Sequence, residues 1–326
     1  MRELSYAQAL NEALKQCMAE DERVILLGED IGVYGGIFQV SAGLLAEFGP
    51  SRVIDTPISE AGFVGAGVGA ALTGMRPVVE IMFIDFTTCA MDMIINQMAK
   101  MHYMFGGRGR VPMVLRTNIG AGRGTGAQHS QSFHAVFAHT PGLVVVAPAT
   151  PYDAKGLLIE AIKSDNPVVF VEHKKLYVEK GLVPEEMYAL PFGKADVKRK
   201  GKDITIVATH AMVLRSLKAA EEVAKEGIDV EVIDPRTIVP LDKATILESV
   251  KKTGRLLAAD EGPKTCGVAA EIAAMVAEEG LYYLKAPVVR VCSPDTPVPF
   301  SPPLEKAFIP DEKNLLPAIR RLMEYA

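Results

Sequence analysis

The feature that most constrains this chain is an alternation, run through twice, of short apolar segments with longer helix-like ones. Val24–Leu27, Arg52–Asp55, Pro77–Phe83, Val111–Arg116, Leu143–Ala147 and Pro167–Glu172 read as buried strands. Between them Ser41–Phe48, Glu60–Leu72, Thr87–Met104 and Pro151–Ser164 read as helices, the last with Thr150 as N-cap and Pro151 in the first position, where its fixed φ suits. Strand and helix in alternation require a parallel sheet covered on both faces. From about Lys174 to Lys202 the pattern breaks into a charged stretch with Gly181, Pro184, Pro191 and Gly193. It resumes with expected strands Asp203–Ala208, Val230–Asp234 and Arg255–Ala259 and helices Met212–Lys225 and Asp242–Lys252. The expected organisation is an α/β domain over 1–173, a linker over 174–202 and a smaller α/β domain over 203–326. The prolines Pro294, Pro297, Pro299, Pro302 and Pro303 read as an extended surface segment.

Composition narrows the function classes. With 326 residues, 49% hydrophobic and 23% charged, the chain can bury the cores of two domains. Its 35 basic residues are interleaved with 40 acidic ones, so it offers no extended basic face and a nucleic-acid partner is not expected. The opening MRELSYAQALNEALKQCMAED is amphipathic and contains acids, and no apolar run reaches membrane-spanning length. A cytoplasmic location without a membrane partner is the expectation. Cys17, Cys89, Cys266 and Cys292 form no C-x-x-C pair, which suggests a reducing compartment and no zinc site.

In open parallel sheets, ligands bind beyond the carboxyl ends of the strands. Glu29 lies in Gly28–Gly36 after the first strand, Glu60 follows the second, Asp85 and Phe86 the third, and Gly120-AGRGTGAQHSQ the fourth. Glu60 stands between an extended run and an apolar, glycine-dotted helix. Such a carboxylate loses solvation, the profile of a catalytic acid or base, although an acid near a positive helix terminus would also fit. Gly120, Gly122, Gly124 and Gly126 let a backbone approach a ligand closely, which raises His129 above an ordinary loop histidine as a general acid or base. His102, His134, His139, His173 and His210 lack such a setting and read as structural or solvated. Phe86 could stack on a flat heteroaromatic ring or simply fill core. Gly65-Ala-Gly67-Val-Gly69-Ala70, with Asp85 about twenty residues on, formally fits a dinucleotide fingerprint and keeps a nicotinamide-linked dehydrogenase as an alternative. Its glycines begin well inside the expected helix, where pyrophosphate could not reach the helix N-terminus.

LLGEDIGVYGG, RVIDTPISEAGFVGAGVGAAL, INQMAK, GAQHSQSF, HTPGLVVVAPATPYDAKGLL, DNPVVFVEHKKLY, DPRTIVPLD and PDTPVPFSP, in this order, resemble the beta subunit of the thiamine-diphosphate-dependent first component of 2-oxo acid dehydrogenase complexes. The resemblance implies a pyrimidine-binding α/β domain followed by a smaller transketolase C-terminal-like domain. It implies that Glu60 bonds a ring nitrogen of the cofactor's aminopyrimidine, that Phe86 packs on that ring and that Met82 lines the pocket. His129 would help acyl transfer to a lipoyl arm. Glu29 and Asp92 match acids near a tunnel between paired sites, and carbonyls near Ala161, Ser164 and Asn166 match a K+ site.

The chain contains neither the G-D-G motif nor the paired asparagines through which thiamine enzymes hold Mg2+. The resemblance therefore implies a separate alpha subunit that holds the ion and the diphosphate, in an assembly of two alpha and two beta chains. The acyl group would pass to a lipoylated dihydrolipoyl transacylase core. The implied substrate is pyruvate or acetoin, with branched-chain 2-oxo acids third. The spellings around Met82–Phe86, Tyr103–Gly107 and Arg116–Gly122 look closer to acetoin-type subunits. A self-contained transketolase-like enzyme and a catalytically inert assembly subunit are the alternatives from other classes.

Overall fold

The computed structural model describes residues 1–325. They form two compact units, one of residues 1–119 with 136–192 and the other of residues 120–135 with the described residues from 193 onward.

The elements follow in chain order as β1 (Arg2–Ser5), α1 (Tyr6–Glu20), β2 (Val24–Gly28), α2 (Leu44–Phe48), β3 (Val53–Asp55), α3 (Glu60–Leu72) and β4 (Arg76–Glu80). A 3-10 helix (Ile84–Ala90), a π-helix (Asp92–Met98) and α4 (Met101–Met104) lead to β5 (Val114–Ile119), α5 (His134–Ala138), β6 (Val144–Val146), α6 (Pro151–Lys163), β7 (Val168–His173) and β8 (Lys180–Val183). In the first unit the main sheet runs β6-β7-β5-β4-β2-β3, all parallel, and β1 pairs antiparallel with β8. Every residue of β2, β5 and β7 is buried, because helices cover both faces. Ser5 and Gln8 close a capping box on α1, and Thr150 caps α6 with Pro151 following, as the sequence signals require.

The second unit contains β9 (Asp196–Arg199), β10 (Ile204–Ala208), α7 (Ala211–Ala224), β11 (Val230–Asp234), β12 (Thr237–Val239), α8 (Lys243–Thr253), β13 (Leu256–Pro263), α9 (Val268–Glu279), a short 3-10 turn (Leu281–Tyr283), β14 (Val289–Ser293), α10 (Pro302–Phe308) and α11 (Glu312–Met323). Its sheet has the order β14-β13-β10-β11-β9, parallel except for the antiparallel edge strand β9.

Three local differences from the sequence reading have physical causes. The continuous helix expected over Thr87–Met104 is instead three segments with 3-10, π and α bonding, fitted against the glycine-bearing face of α3, where Met93 Sδ lies 3.1 Å from the position a Gly65 Cβ would take. Pro302 and Pro303 open α10 rather than continuing an extended run, since a missing N–H costs nothing in a first helical turn. Residues 120–135 group with the second unit, whose buried acids bond the loop's backbone. The expected range 1–173 places that loop in the first domain.

Candidate functional site

The carboxyl ends of β2, β3 and β4 deliver the first cluster. Beyond β2 the chain turns sharply, with Asp30, Gly35 and Gly36 at positive φ. Asp55, the last residue of β3, accepts from Gly32 N–H at 2.7 Å, and Thr56 N–H donates to the Gly28 carbonyl at 3.0 Å. A Cβ on Gly32 would lie 2.3 Å from the Asp55 carboxylate, so only glycine fits there. These bonds tie the loop bearing Glu29 to the connection that carries Glu60, the first residue of α3.

Glu29 and Glu60 are both half-buried, and their charges interact. Burial pushes the Glu29 carboxyl above its usual range, and the negative charges of Glu60 and then Asp30 push it further. Glu29 Oε1 and Thr56 Oγ1 are buried without a hydrogen-bond partner among the described residues. Buried polar atoms are nearly always satisfied, so two such atoms at adjoining strand ends fit a ligand that supplies hydrogen bonds.

Past β4, Met82 and Phe86 are half-buried. Asn118, near the end of β5, donates to the Met82 carbonyl, and Phe86 meets Phe83 edge to face with ring centres 6.2 Å apart. The 3-10 helix that carries Phe86 packs against α3, so an apolar ledge flanks the helix that Glu60 opens. Polar atoms awaiting partners beside an aromatic ledge suit a flat heterocycle with ring nitrogens, the character of an aminopyrimidine.

A buried ion network backs this region and escaped the sequence reading. Arg116 on β5 is 2% exposed and forks onto Glu172 of β7 at 2.7 and 2.9 Å while also bonding Glu80 at the end of β4. Tyr177 donates to Glu172 at 2.6 Å and stacks on Phe38 at 4.3 Å. Burial opposes charge on Arg116, but Glu172 and Glu80 more than offset it and hold the guanidinium protonated. Burial drives the Tyr177 phenol well above its ordinary value, so it remains a donor. An arginine within an apolar strand run was the available signal, since a buried charge needs partners.

The other expected first-unit residues lie elsewhere. Asp92, on the π-helix, is exposed and accepts from Asn96 at 2.7 Å. Ala161 lies in the last turn of α6, with Ser164 and Asn166 just beyond the helix. Arg76 donates there to the Ile162 and Ser164 carbonyls at 3.0 and 2.9 Å. Arg76 opens β4 and Glu80 closes it, so these carbonyls gather at the opposite end of the sheet from Glu29 and Glu60. The Ser164 carbonyl keeps a second lone pair that a monovalent cation could use.

Gly65, Gly67 and Gly69 lie inside α3, and a Cβ on Gly67 would meet Val79 Cγ2 at 2.7 Å. Gly65 and Gly67 are close-packing positions, Gly69 faces open space, and none of the three lies in a strand-to-helix turn that could hold phosphate, which removes the basis of the nicotinamide alternative.

In the second unit the loop after β5 holds His129. Gly120, Gly122, Gly124 and Gly126 all have positive φ. Ala121 N–H donates to Glu261 at 2.8 Å, Gly122 N–H to Glu305 at 2.7 Å, and Gly124 N–H to both Glu305 oxygens at 3.2 and 3.0 Å. Thr125 then donates to the His129 carbonyl at 3.2 Å and bonds the Ser130 hydroxyl at 2.8 Å. A cavity of about 550 Å³ opens beside this loop, lined by Gln128, Ser130, Gln131, Phe133, Val298 and Phe308 among others. His134 is fully buried, its Nε2 3.0 Å from Asp260, which also accepts from Thr209 at 2.5 Å. Burial raises the Asp260 carboxyl, but the charge and hydrogen bond of His134 and the bond from Thr209 outweigh it and bring its pKa down to about 2.

Among the described residues, no group of three or more His, Cys, Asp and Glu side chains is arranged to hold a metal ion, and no helix is long and apolar enough to cross a membrane.

Comparison with known proteins covers nearly the whole chain. Residues 2–180 match the transketolase pyrimidine-binding domain and residues 193–315 the transketolase C-terminal domain. The chain is 50% identical to the acetoin:2,6-dichlorophenolindophenol oxidoreductase subunit beta of Cupriavidus necator, over 99% of this chain and 98% of that one. It is 46% identical to the pyruvate dehydrogenase E1 component subunit beta of Bacillus subtilis over 100% of both, and 45% identical to the 2-oxoisovalerate dehydrogenase subunit beta of the same organism, again over 100% of both. A solved split-gene transketolase, an inactive beta4 tetramer, superposes with a TM-score of 0.82 at 22% identity, covering 99% of each chain, which supports the fold.

Proposed function

We infer the reaction from a plain premise: the chain belongs to the beta subunits of the first components of thiamine-diphosphate-dependent 2-oxo acid dehydrogenases, oxidoreductases built on the transketolase fold. It acts with an alpha subunit, two of each, to cleave the carbon–carbon bond beside the carbonyl of pyruvate or acetoin. The acyl group passes to a lipoyl-bearing transacylase core, for which the second unit offers the docking surface. Acetoin as substrate is favoured by the 50% identity to an acetoin-oxidising relative, and a branched-chain 2-oxo acid is the third choice.

The observation that carries this reading is the pair Glu29 and Glu60, two interacting half-buried acids just past adjoining strands, with a buried Glu29 oxygen unmet among the described residues. Thiamine diphosphate, when bound, would supply a nucleophilic carbon and an electron sink for carbon–carbon cleavage. Glu60 shares a proton with a ring nitrogen at its carboxylate. Glu29, whose carboxyl is pushed up by burial and then by the Glu60 charge, offers its unmet oxygen for a hydrogen bond. Phe86 and Met82 form the apolar ledge that fixes the ring plane and excludes water. His129 moves a proton at its imidazole as the acyl group leaves. Mg2+ and the diphosphate are assigned to the alpha chain, in keeping with a chain that has neither G-D-G nor a metal-holding cluster among its described residues. A K+ ion at Ala161, Ser164 and Asn166 would be structural, since that edge lies at the other end of β4.

The test is dye-linked oxidation by this chain co-purified with its alpha partner, thiamine diphosphate and Mg2+, on pyruvate, acetoin and a branched 2-oxo acid in parallel. Turnover of one substrate is expected. A stable, cofactor-loaded complex that oxidises none of them would overturn the substrate assignment.

A further inference from the structure

We propose that Glu305, with Glu261 in support, is a positioning residue that latches the glycine-rich loop and thereby sets His129 for acyl transfer. The proposal rests on the catalytic reading of His129 above. The loop has four glycines at positive φ, so its own backbone specifies no single conformation. Something else must choose one.

The structure assigns that choice to α10 and β13. Glu305, on the first turn of α10, is 5% exposed and takes the N–H groups of Gly122 and Gly124 on its two oxygens. Backbone N–H groups converging on one carboxylate form a strong, charge-assisted grip. Glu261, 3% exposed at the end of β13, holds Ala121 N–H. Arg215 adds a longer-range ion pair to it at 3.7 Å. Ala121 also packs with Val298 and Phe308, so α10 grips the loop through apolar and polar contacts at once. The next residue outside the grip, Thr125, passes the constraint on through its bonds to His129 and Ser130. The amides of Ala121, Gly122 and Gly124 are thus satisfied internally rather than left for a ligand. Their role is to make a glycine-rich segment rigid enough to aim a side chain.

Under the proposed function two steps can be separated. Carbon–carbon cleavage read with an artificial dye needs the first-unit acids, whereas delivery of the acyl group to a lipoyl acceptor needs His129 in place. Glu305→Ala should release the loop. Glu305→Gln keeps one acceptor oxygen and should restore part of the grip.

The experiment measures amide hydrogen exchange over residues 119–126 in the assembled alpha–beta complex, together with dye-linked and lipoyl-linked rates, for the parent, Glu305→Ala, Glu305→Gln and His129→Ala. The expected result for Glu305→Ala is about tenfold faster exchange and an about tenfold lower kcat for lipoyl acylation, with KM and the dye-linked rate unchanged, as loss of orientation implies. Glu305→Gln should recover part of both losses. If Glu305→Ala does not assemble, Glu305→Gln carries the test, with a rise in exchange and a fall in acylation of about threefold each expected. Unchanged exchange would overturn the latch whatever the reaction. Faster exchange with normal acylation, in a protein where His129→Ala abolishes acylation, would overturn the positioning role alone. Normal acylation in His129→Ala would instead overturn the catalytic reading of His129.

Discussion

Two sets of acidic residues, one in each unit, are used in opposite ways. At the strand ends of the first unit, Glu29 and Glu60 stand half-buried, mutually repelling, with a Glu29 oxygen unmet. In the second, Asp260 of β13 is committed to His134, Thr209 and Gly262 N–H, Glu261 of the same strand to Ala121, and Glu305 of α10 to Gly122 and Gly124. Both units are α/β with parallel sheets, so fold alone does not distinguish them. The difference between the two sets lies in whether the carboxylate oxygens are met within the protein. Unmet polar groups are costly to stability and useful to a ligand, while satisfied ones rigidify.

The contrast would break first at Glu60. Glu60→Gln should lower turnover of the complex by about a thousandfold, within the range for a lost acid–base group, while the thermal midpoint and assembly stay as in the parent. Activity near the parent level would remove Glu60 from its role. The buried network behind the site should behave in the opposite sense. Arg116→Met should destabilise the first unit by about 3–5 kcal/mol in chemical denaturation, because it strands Glu172 and Glu80 without their cation.

Asp260→Asn sharpens the comparison from the second unit. The Asp260 pKa is depressed on folding, so its ionised form stabilises the protein above the ordinary aspartate range and that contribution is lost as pH falls through the folded value of about 2. The variant should be about 2–3 kcal/mol less stable at pH 7, with the gap closing as pH falls from about 4 towards 2. A gap independent of pH in denaturation curves would mean that the carboxylate charge is not what His134 recognises. The smallest effect belongs to local structure: Thr150→Ala should cost about 1 kcal/mol through the lost bond to Asp153 N–H, read as a shift in denaturation midpoint with activity intact.

Much of the fold is legible from local signals. Apolar runs mark most strands to within a few residues, Thr150–Pro151 marks the start of α6, and the position of Gly65–Ala70 well beyond a strand end argues for packing rather than pyrophosphate binding. The candidate acids and Phe86 follow from the rule that strand ends carry sites. Arg116 and Glu172 were not found, because they are 56 positions apart in the chain and become partners only when β5 and β7 pair. His134 reads as an ordinary histidine for the same reason, its carboxylate being 126 positions away. Thr87–Met104 misled because periodicity reports a helical stretch but not which hydrogen-bond spacing its neighbours impose.

The sequence by itself determined the alternation of strand and helix, the glycines that permit tight turns and positive φ, and which acids and aromatics stand just past strands, since each depends on neighbours a few residues apart. Only the tertiary structure decided which of those acids are satisfied and which remain open, that Glu305 closes on Gly122 and Gly124 across some 180 positions, and that Arg116 sits between two carboxylates. A side chain's burial and its partners are properties of the folded surface around it, and elements distant in sequence supply that surface.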